Sequence, residues 1–204
     1  GFAYNNDFAV TSRTVNGGNA VAFTYDDDGL LTQAGALTLS RNAASGFLEA
    51  TTLGTTSDSR ARTSFAELDV YSASANGSPV YDFDLDRDLQ GRITAKTETI
   101  EGVTSFWEYS YHPQRGWLTE VKKDGLVVES YGYDDNGNRT SWDDFWGSGT
   151  ATYDDQDRML TAGPRSYTYT NNGELLTKTA GPDLTTYTYD VRGALTAFTL
   201  PTGI

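Results

Sequence analysis

Cysteine is absent from this sequence, so neither a disulfide framework nor a thiolate metal site can form. Histidine occurs once, as His112 beside Pro113. A Ser-His-Asp triad would need its other members from elsewhere in the chain, and the position reads as a turn. No glycine loop of the phosphate-cradling kind is present. No apolar run approaches the roughly 18 residues of a membrane span, so membrane insertion is not expected. Positive charge is scarce: 15 Lys and Arg face 28 Asp and Glu, a net charge of −13. Nucleic acids and anionic surfaces call for a basic footprint, so neither is expected as a partner. The opening Gly1-Phe2-Ala3-Tyr4 shows no secretory leader, and with no initiator Met the sequence reads as a piece of something longer.

Proline is also rare, with 5 residues against 21 glycines, which points to many turns in a folded chain rather than to disorder. Aromatic residues are plentiful at 13%, and rings bury a large area each. The chain is organised around Tyr131-Gly132-Tyr133-Asp134-Asp135-Asn136-Gly137-Asn138-Arg139. This stretch predicts a strand with two tyrosines on one face, an acidic tight turn and a return strand. Asn136-Gly137 suggests a primed hairpin turn, with Asp134 bonding amides two residues on.

Copies of this unit run along the chain. Tyr25-Asp26-Asp27-Asp28-Gly29, Tyr169-Thr170-Asn171-Asn172-Gly173 and Tyr189-Asp190-Val191-Arg192-Gly193 are close ones. Tyr153-Asp154 keeps the frame with Asp157 for glycine, and Tyr111 leads a turn one residue longer that ends at Gly116. Arg41 and Arg87 replace the tyrosine, the latter in Arg87-Asp88-Leu89-Gln90-Gly91-Arg92. From Thr51 to Val80 the pattern fades, although Phe65-Ala66-Glu67-Leu68 sits where a copy is due. Taking Tyr4, Tyr25, Arg41, Arg87, Tyr111, Tyr133, Tyr153, Tyr169 and Tyr189 as markers, the spacing is 16 to 24 residues, apart from one double gap. A sustained period of this size is a repeat architecture.

Each copy predicts one β-hairpin, and one hairpin alone is marginal in water. Stacked side by side, hairpins would share an aromatic face. The expectation is an all-β fold: one array over residues 1–204, of about nine hairpins, wound into a curved sheet with the tyrosines inside. A fragment of that size leaves both end strands open, and open edges invite edge-to-edge association or cover from a neighbour.

These units resemble the Rhs/YD repeat, and the resemblance covers nearly the whole chain. The resemblance implies a length of hollow β-shell, of the type that bacterial Rhs toxins and insecticidal toxin complexes wrap around a C-terminal cytotoxic domain and that animal teneurins use at cell contacts. It implies the rest of a parent shell and an enclosed toxin or cargo domain as partners, and a secreted or cell-surface place. The family's self-cleaving segment with its catalytic aspartates has no counterpart before Leu200-Pro201-Thr202-Gly203-Ile204. The residues that make the wall would be Tyr25, Asp26, Gly29, Gly91, Arg92, Tyr111, Gly116, Tyr133, Asp134, Gly137, Arg139, Tyr153, Asp154, Tyr169, Gly173, Tyr189, Asp190 and Gly193.

Catalytic, metal and cofactor chemistry finds little footing. Asp82, Asp84, Asp86 and Asp88 alternate along one strand, but a calcium loop would need glycine and glutamate where Arg87 and Ile93 stand. Adjacent acids such as Asp134-Asp135, Asp143-Asp144 and Asp154-Asp155 point in different directions and cannot flank a glycosidic bond together. No cofactor or metal is expected, and no catalytic residue is assigned. Trp142-Asp143-Asp144-Phe145-Trp146 is not explained by the repeat. Trp142, Phe145 and Trp146 offer either a sugar-stacking or receptor-binding platform, or extra cover for the sheet.

Overall fold

The computed structural model describes residues 1–201. It is all-β; among the described residues there is no helix. The chain forms two compact units, Gly1–Trp107 and Glu108–Ile204. The first contains β1 (Phe2–Tyr4), β2 (Val10–Arg13), β3 (Val21–Tyr25), β4 (Leu31–Ala34), β5 (Leu37–Arg41), β6 (Leu48–Leu53), β7 (Thr56–Arg62), β8 (Leu68–Ala75), β9 (Ser78–Arg87) and β10 (Ile93–Ile100). Strand β11 (Val103–Tyr111) runs from one unit into the other. The second contains β12 (Leu118–Lys123), β13 (Leu126–Tyr133), β14 (Arg139–Asp144), β15 (Gly147–Tyr153), β16 (Met159–Ala162), β17 (Arg165–Tyr169), β18 (Leu175–Ala180), β19 (Asp183–Tyr189) and β20 (Leu195–Thr199).

Strands β1 to β10 form an antiparallel meander in which each pairs with its neighbours in sequence. Strands β12 to β20 do the same in the second unit. The connections alternate between two kinds, which an antiparallel meander places at opposite strand ends. One kind is the repeat turn. The other is mostly a two-residue turn: in Asn76-Gly77, Glu101-Gly102 and Asp124-Gly125 both residues have positive φ, and in Gly35-Ala36, Gly54-Thr55, Gly163-Pro164 and Gly181-Pro182 the first does. Those are the primed turns.

The expected primed turn at Asn136-Gly137 is not formed. Gly137 has φ +93, but Asn136 is not in the left-handed region. Gly137 N–H donates to the Asp134 carbonyl at 3.2 Å and Asp134 N–H to the Asn138 carbonyl at 3.0 Å. The register slips between Gly132 and Tyr133. This is a type I turn closed by a bulge, and the extra loop length lets Asp134 cap the turn.

Alternation sorts the faces as expected. Tyr167 and Tyr169 are half-buried while Thr168 between them is exposed, and Tyr187, Thr188 and Tyr189 repeat this. On the exposed face, hydroxyls pair across strands, Thr152 with Thr161 at 2.7 Å and Thr168 with Thr177 at 2.6 Å. The rings are not sealed inside, however. Among the described residues, Val121 (3% exposed) and Ala151 (5%) are the buried hydrophobics. Each ring is covered from the side by its neighbours, and among the described residues the strands of each unit contact the strands beside them. The backbone ladders and the turns therefore hold more of the fold than an aromatic core does.

Candidate functional site: a ladder of turns

A side chain at the mouth of each repeat turn caps it from within. Asp26 shows the pattern: its Oδ1 accepts from the N–H groups of Asp28 (3.1 Å) and Leu30 (2.8 Å). Asp88, Asp134, Asp154 and Asp190 accept the equivalent pair of amides. Asn5 and Asn42 cap with an amide oxygen, and Thr63 and Thr170 with a hydroxyl. His112 does so with Nδ1, which accepts from Gln114 and Arg115. The lone histidine is thus a turn cap.

These bonds favour the ionised caps. The hydrogen bond from Asn138 holds the Asp134 carboxyl below its ordinary range, against a smaller opposing effect of burial. Arg158 does the same for Asp154. At Asp88 burial pushes upward, but hydrogen bonds from Arg92 and the turn amides outweigh it and leave the group lowered.

The marker residue closes a second contact. Tyr133 O–H donates to the carbonyl of Leu118 at 2.8 Å, and Leu118 is the first strand residue after the preceding turn. Tyr25 reaches Val10, Tyr153 reaches Arg139, Tyr169 reaches Met159 and Tyr189 reaches Leu175 in the same manner. Where arginine replaces tyrosine the bond survives: Arg41 Nε donates to Leu31 (3.0 Å) and an Arg87 guanidinium nitrogen to Leu68 (2.7 Å). Arginine adds a bond that tyrosine does not make, to its own turn, at Gly46 and Gly91. Arg62 bonds Ala66 likewise, at 2.8 Å. Arg62-Thr63-Ser64-Phe65-Ala66-Glu67 is thus the worn copy, with Ala66 at φ +67 where glycine is usual.

The third contact joins one turn to the next. A Cβ built on Gly137 would lie 2.8 Å from the Trp117 indole, and one on Gly91 would lie 2.8 Å from Glu67 Oε1. Leu30 covers Gly46 and Glu174 approaches Gly193 similarly. Where Asp157 stands in for glycine, the contact becomes polar: Asn138 Nδ2 donates to Asp157 Oδ1 at 2.7 Å and Asn136 Nδ2 at 2.9 Å.

A further cluster lies in the first unit and carries no repeat signature. The register row Arg60–Tyr71–Phe83–Glu98 brings together residues far apart in sequence. Arg60 makes a two-pronged pair with Asp58 at 2.7 and 2.8 Å and sits 5.3 Å above the Tyr71 ring. Tyr71 stacks on Phe83 at 5.6 Å, and Tyr81 donates to Glu98 at 2.9 Å. Lys96 bonds Glu98 at 2.8 Å and lies over Trp107. In the second unit Tyr131 donates to Glu129 at 2.7 Å beneath the Arg139 guanidinium. Burial first, then that carboxylate, pushes the Tyr131 hydroxyl up to about 12. Strand register brings Tyr71, Phe83 and Glu98 into line with Arg60.

The remaining sequence candidates separate. Trp142 lies on the sheet, with its indole where a Cβ on Gly149 would sit and Arg139 5.3 Å away. Phe145 (86% exposed) and Trp146 (90%) stand at the tip of the β14–β15 turn, edge to face at 5.1 Å. Of the three rings offered as a platform, Phe145 and Trp146 share the turn while Trp142 lies on the strand before it. The two tryptophans do not both cover the sheet. Asp88 likewise leaves the acidic row of β9 to cap its turn and pair with Arg92 at 2.6 Å. Among the described residues, no group of acidic or histidine side chains is placed to hold a metal ion.

The chain matches the teneurin YD-shell family over residues 2–202. Its fold is similar to part of a Photorhabdus luminescens Tc holotoxin pore, with a TM-score of 0.64 and 14% identity over 97% of this chain. It is also similar to part of the TcdB2–TccC3–Cdc42 crystal structure, with a TM-score of 0.53 and 19% identity over 98% of the chain. The chain spans 13% and 11% of the lengths of those two proteins. No curated protein matches it.

Proposed function

Since this chain belongs to the teneurin YD-shell family, we infer that it is shell wall whose half-buried aromatic side faces an enclosed toxin or other cargo domain of its parent protein. The observation that carries this reading is the single layer itself: each unit has one face of cross-strand hydroxyls and one of rings. A wall between water and contents needs two such faces. The role is structural and requires no catalytic step; secretion or display at a cell surface fits it. Limited proteolysis of the full parent protein tests it. Cargo inside an intact wall resists cleavage until the wall is opened by denaturant, whereas cargo cut at the same rate as the free domain would overturn the reading.

A second reading rests on the Phe145–Trp146 tip, whose exposed rings can meet a glycan or a receptor. Glycan-array binding lost in Trp146→Ala would support it, and a blank array for the parent chain would remove the glycan form of it.

A further inference from the structure

The turn-to-turn contacts share one arrangement. The residue after the left-handed position of one repeat turn reaches the left-handed position of the next, as Leu30 reaches Gly46, Glu67 reaches Gly91 and Trp117 reaches Gly137. Between the turns led by Arg41 and Arg62 the corresponding pair is Phe47 and Ala66, and Ala66 carries a Cβ where Gly46 and Gly91 carry none. A cavity of about 470 Å³ opens at this joint, with both residues in its lining. It lies within the first unit, between β6, β7 and their turns. Arg60, also in the lining, is matched by Asp58. Arg62 has no carboxylate partner among the described residues: its guanidinium lies 4.7 Å over the Phe47 ring, one nitrogen donates to the Ala66 carbonyl, and its other N–H groups are unmatched. One oxygen of Glu49 accepts from Asn42 at 2.8 Å; among the described residues its other oxygen and the Ser64 hydroxyl have no partner.

We propose that this cavity binds a sugar acid of the uronic type, with the carboxylate on Arg62, hydroxyls on Glu49 and Ser64, and a sugar face against Phe47. A bare anion would satisfy Arg62 but meet like charge at Glu49. A neutral sugar would satisfy Glu49 and Ser64 but leave the guanidinium without a counter-charge. A ligand that carries a carboxylate and hydroxyl donors together answers both demands. Arginine presents a planar fork that suits a carboxylate. Phe47 is 42% exposed, so part of its surface is open to a ligand. The cavity volume falls in the range of small-ligand sites, about 300–1,000 Å³. The site is distinct from the Phe145–Trp146 tip, which belongs to the other unit, and does not depend on what the wall encloses.

Titration of the isotope-labelled 204-residue chain with glucuronate, followed by its amide NMR shifts, tests this. Glucuronate is expected to give saturable shifts centred on Phe47, Glu49, Arg62 and Ser64. Glucose, acetate and an N-acetyl aspartate amide are each expected to bind more weakly by about tenfold, since each leaves at least one polar group of the cavity unmatched. Arg62→Gln is expected to weaken glucuronate binding by about tenfold or more, the net value of a charge-assisted contact. Ser64→Ala is expected to weaken it by about two- to tenfold, the value of one neutral hydrogen bond. Trp146→Ser, in the other unit, is expected to change nothing. Absence of saturable shifts, shifts centred elsewhere, equal binding of any of the three comparison compounds, unchanged binding in Arg62→Gln or Ser64→Ala, or binding lost in Trp146→Ser would each overturn the proposal. Circular dichroism establishes that each variant retains its β-sheet. Arg62 also bonds its own turn at Ala66, so Ser64→Ala keeps the test decisive if Arg62→Gln fails to fold.

Discussion

The indole of Trp117 lies over the backbone of Gly137, filling the space that a Cβ there would need. Gly137 therefore answers two demands, a positive φ and a close approach. Gly29 has φ +77 but open space around it. Gly29→Ala is expected to cost about 1–2 kcal/mol, the left-handed penalty alone. Gly137→Ala should cost more, by about 1–3 kcal/mol for the displaced indole. Urea unfolding followed by tryptophan fluorescence checks the order, and equal costs would mean that the indole moves aside freely.

The marker position predicts a second ranking. Tyr133→Phe and Tyr169→Phe each remove one hydroxyl donor and are expected to cost about 0.5–1.5 kcal/mol. Arg87→Tyr should be tolerated better than Arg87→Leu, because tyrosine can still satisfy the Leu68 carbonyl and leucine cannot. Thermal unfolding of the two Arg87 variants provides the comparison.

Ala66 offers a gain. Its φ of +67 is costly for a residue with a Cβ, so Ala66→Gly is expected to stabilise by about 1 kcal/mol and raise Tm by roughly 2–4 °C. Asp157→Gly relieves the same kind of strain at φ +60 but deprives Asn136 and Asn138 of their acceptor. Its gain should be smaller or absent. A larger rise in Tm for Asp157→Gly would show that the turn-to-turn bonds contribute little.

Acid should loosen the ladder. Asp88, Asp134 and Asp154 have lowered carboxyl values in the folded chain, so below the ordinary carboxyl range the unfolded chain binds more protons. Their contribution is present above that range and is lost as pH falls through it and on through the lowered folded values. Asparagine still caps a turn, as Asn5 does. Asp134→Asn with Asp154→Asn is therefore expected to narrow the difference in urea midpoint between about pH 7 and about pH 3. An unchanged difference would place the acid sensitivity elsewhere.

Strands and repeat turns are legible in the sequence because tyrosine alternation and the acidic cap leave a local mark. Arg41 and Arg87 are legible as positions, but the chemistry they share with tyrosine, a donor long enough to reach a carbonyl on the neighbouring strand, shows only in coordinates. The copy led by Arg62 is obscured because Ala66 adopts the left-handed conformation without being glycine. Asn136-Gly137 misleads because a dipeptide does not distinguish a two-residue turn from the end of a longer one. The Asp58–Arg60–Tyr71 grouping depends on the register between β7 and β8, which no local pattern specifies.

The hydroxyl of a marker residue such as Tyr133 or Tyr189 bonds to the strand opened by the turn before it, so this contact ties a hairpin to its immediate predecessor. Duplication or loss of one such unit would preserve this marker bond at each surviving junction, while the turn-to-turn contacts, such as Asn138 with Asp157, would have to be matched anew.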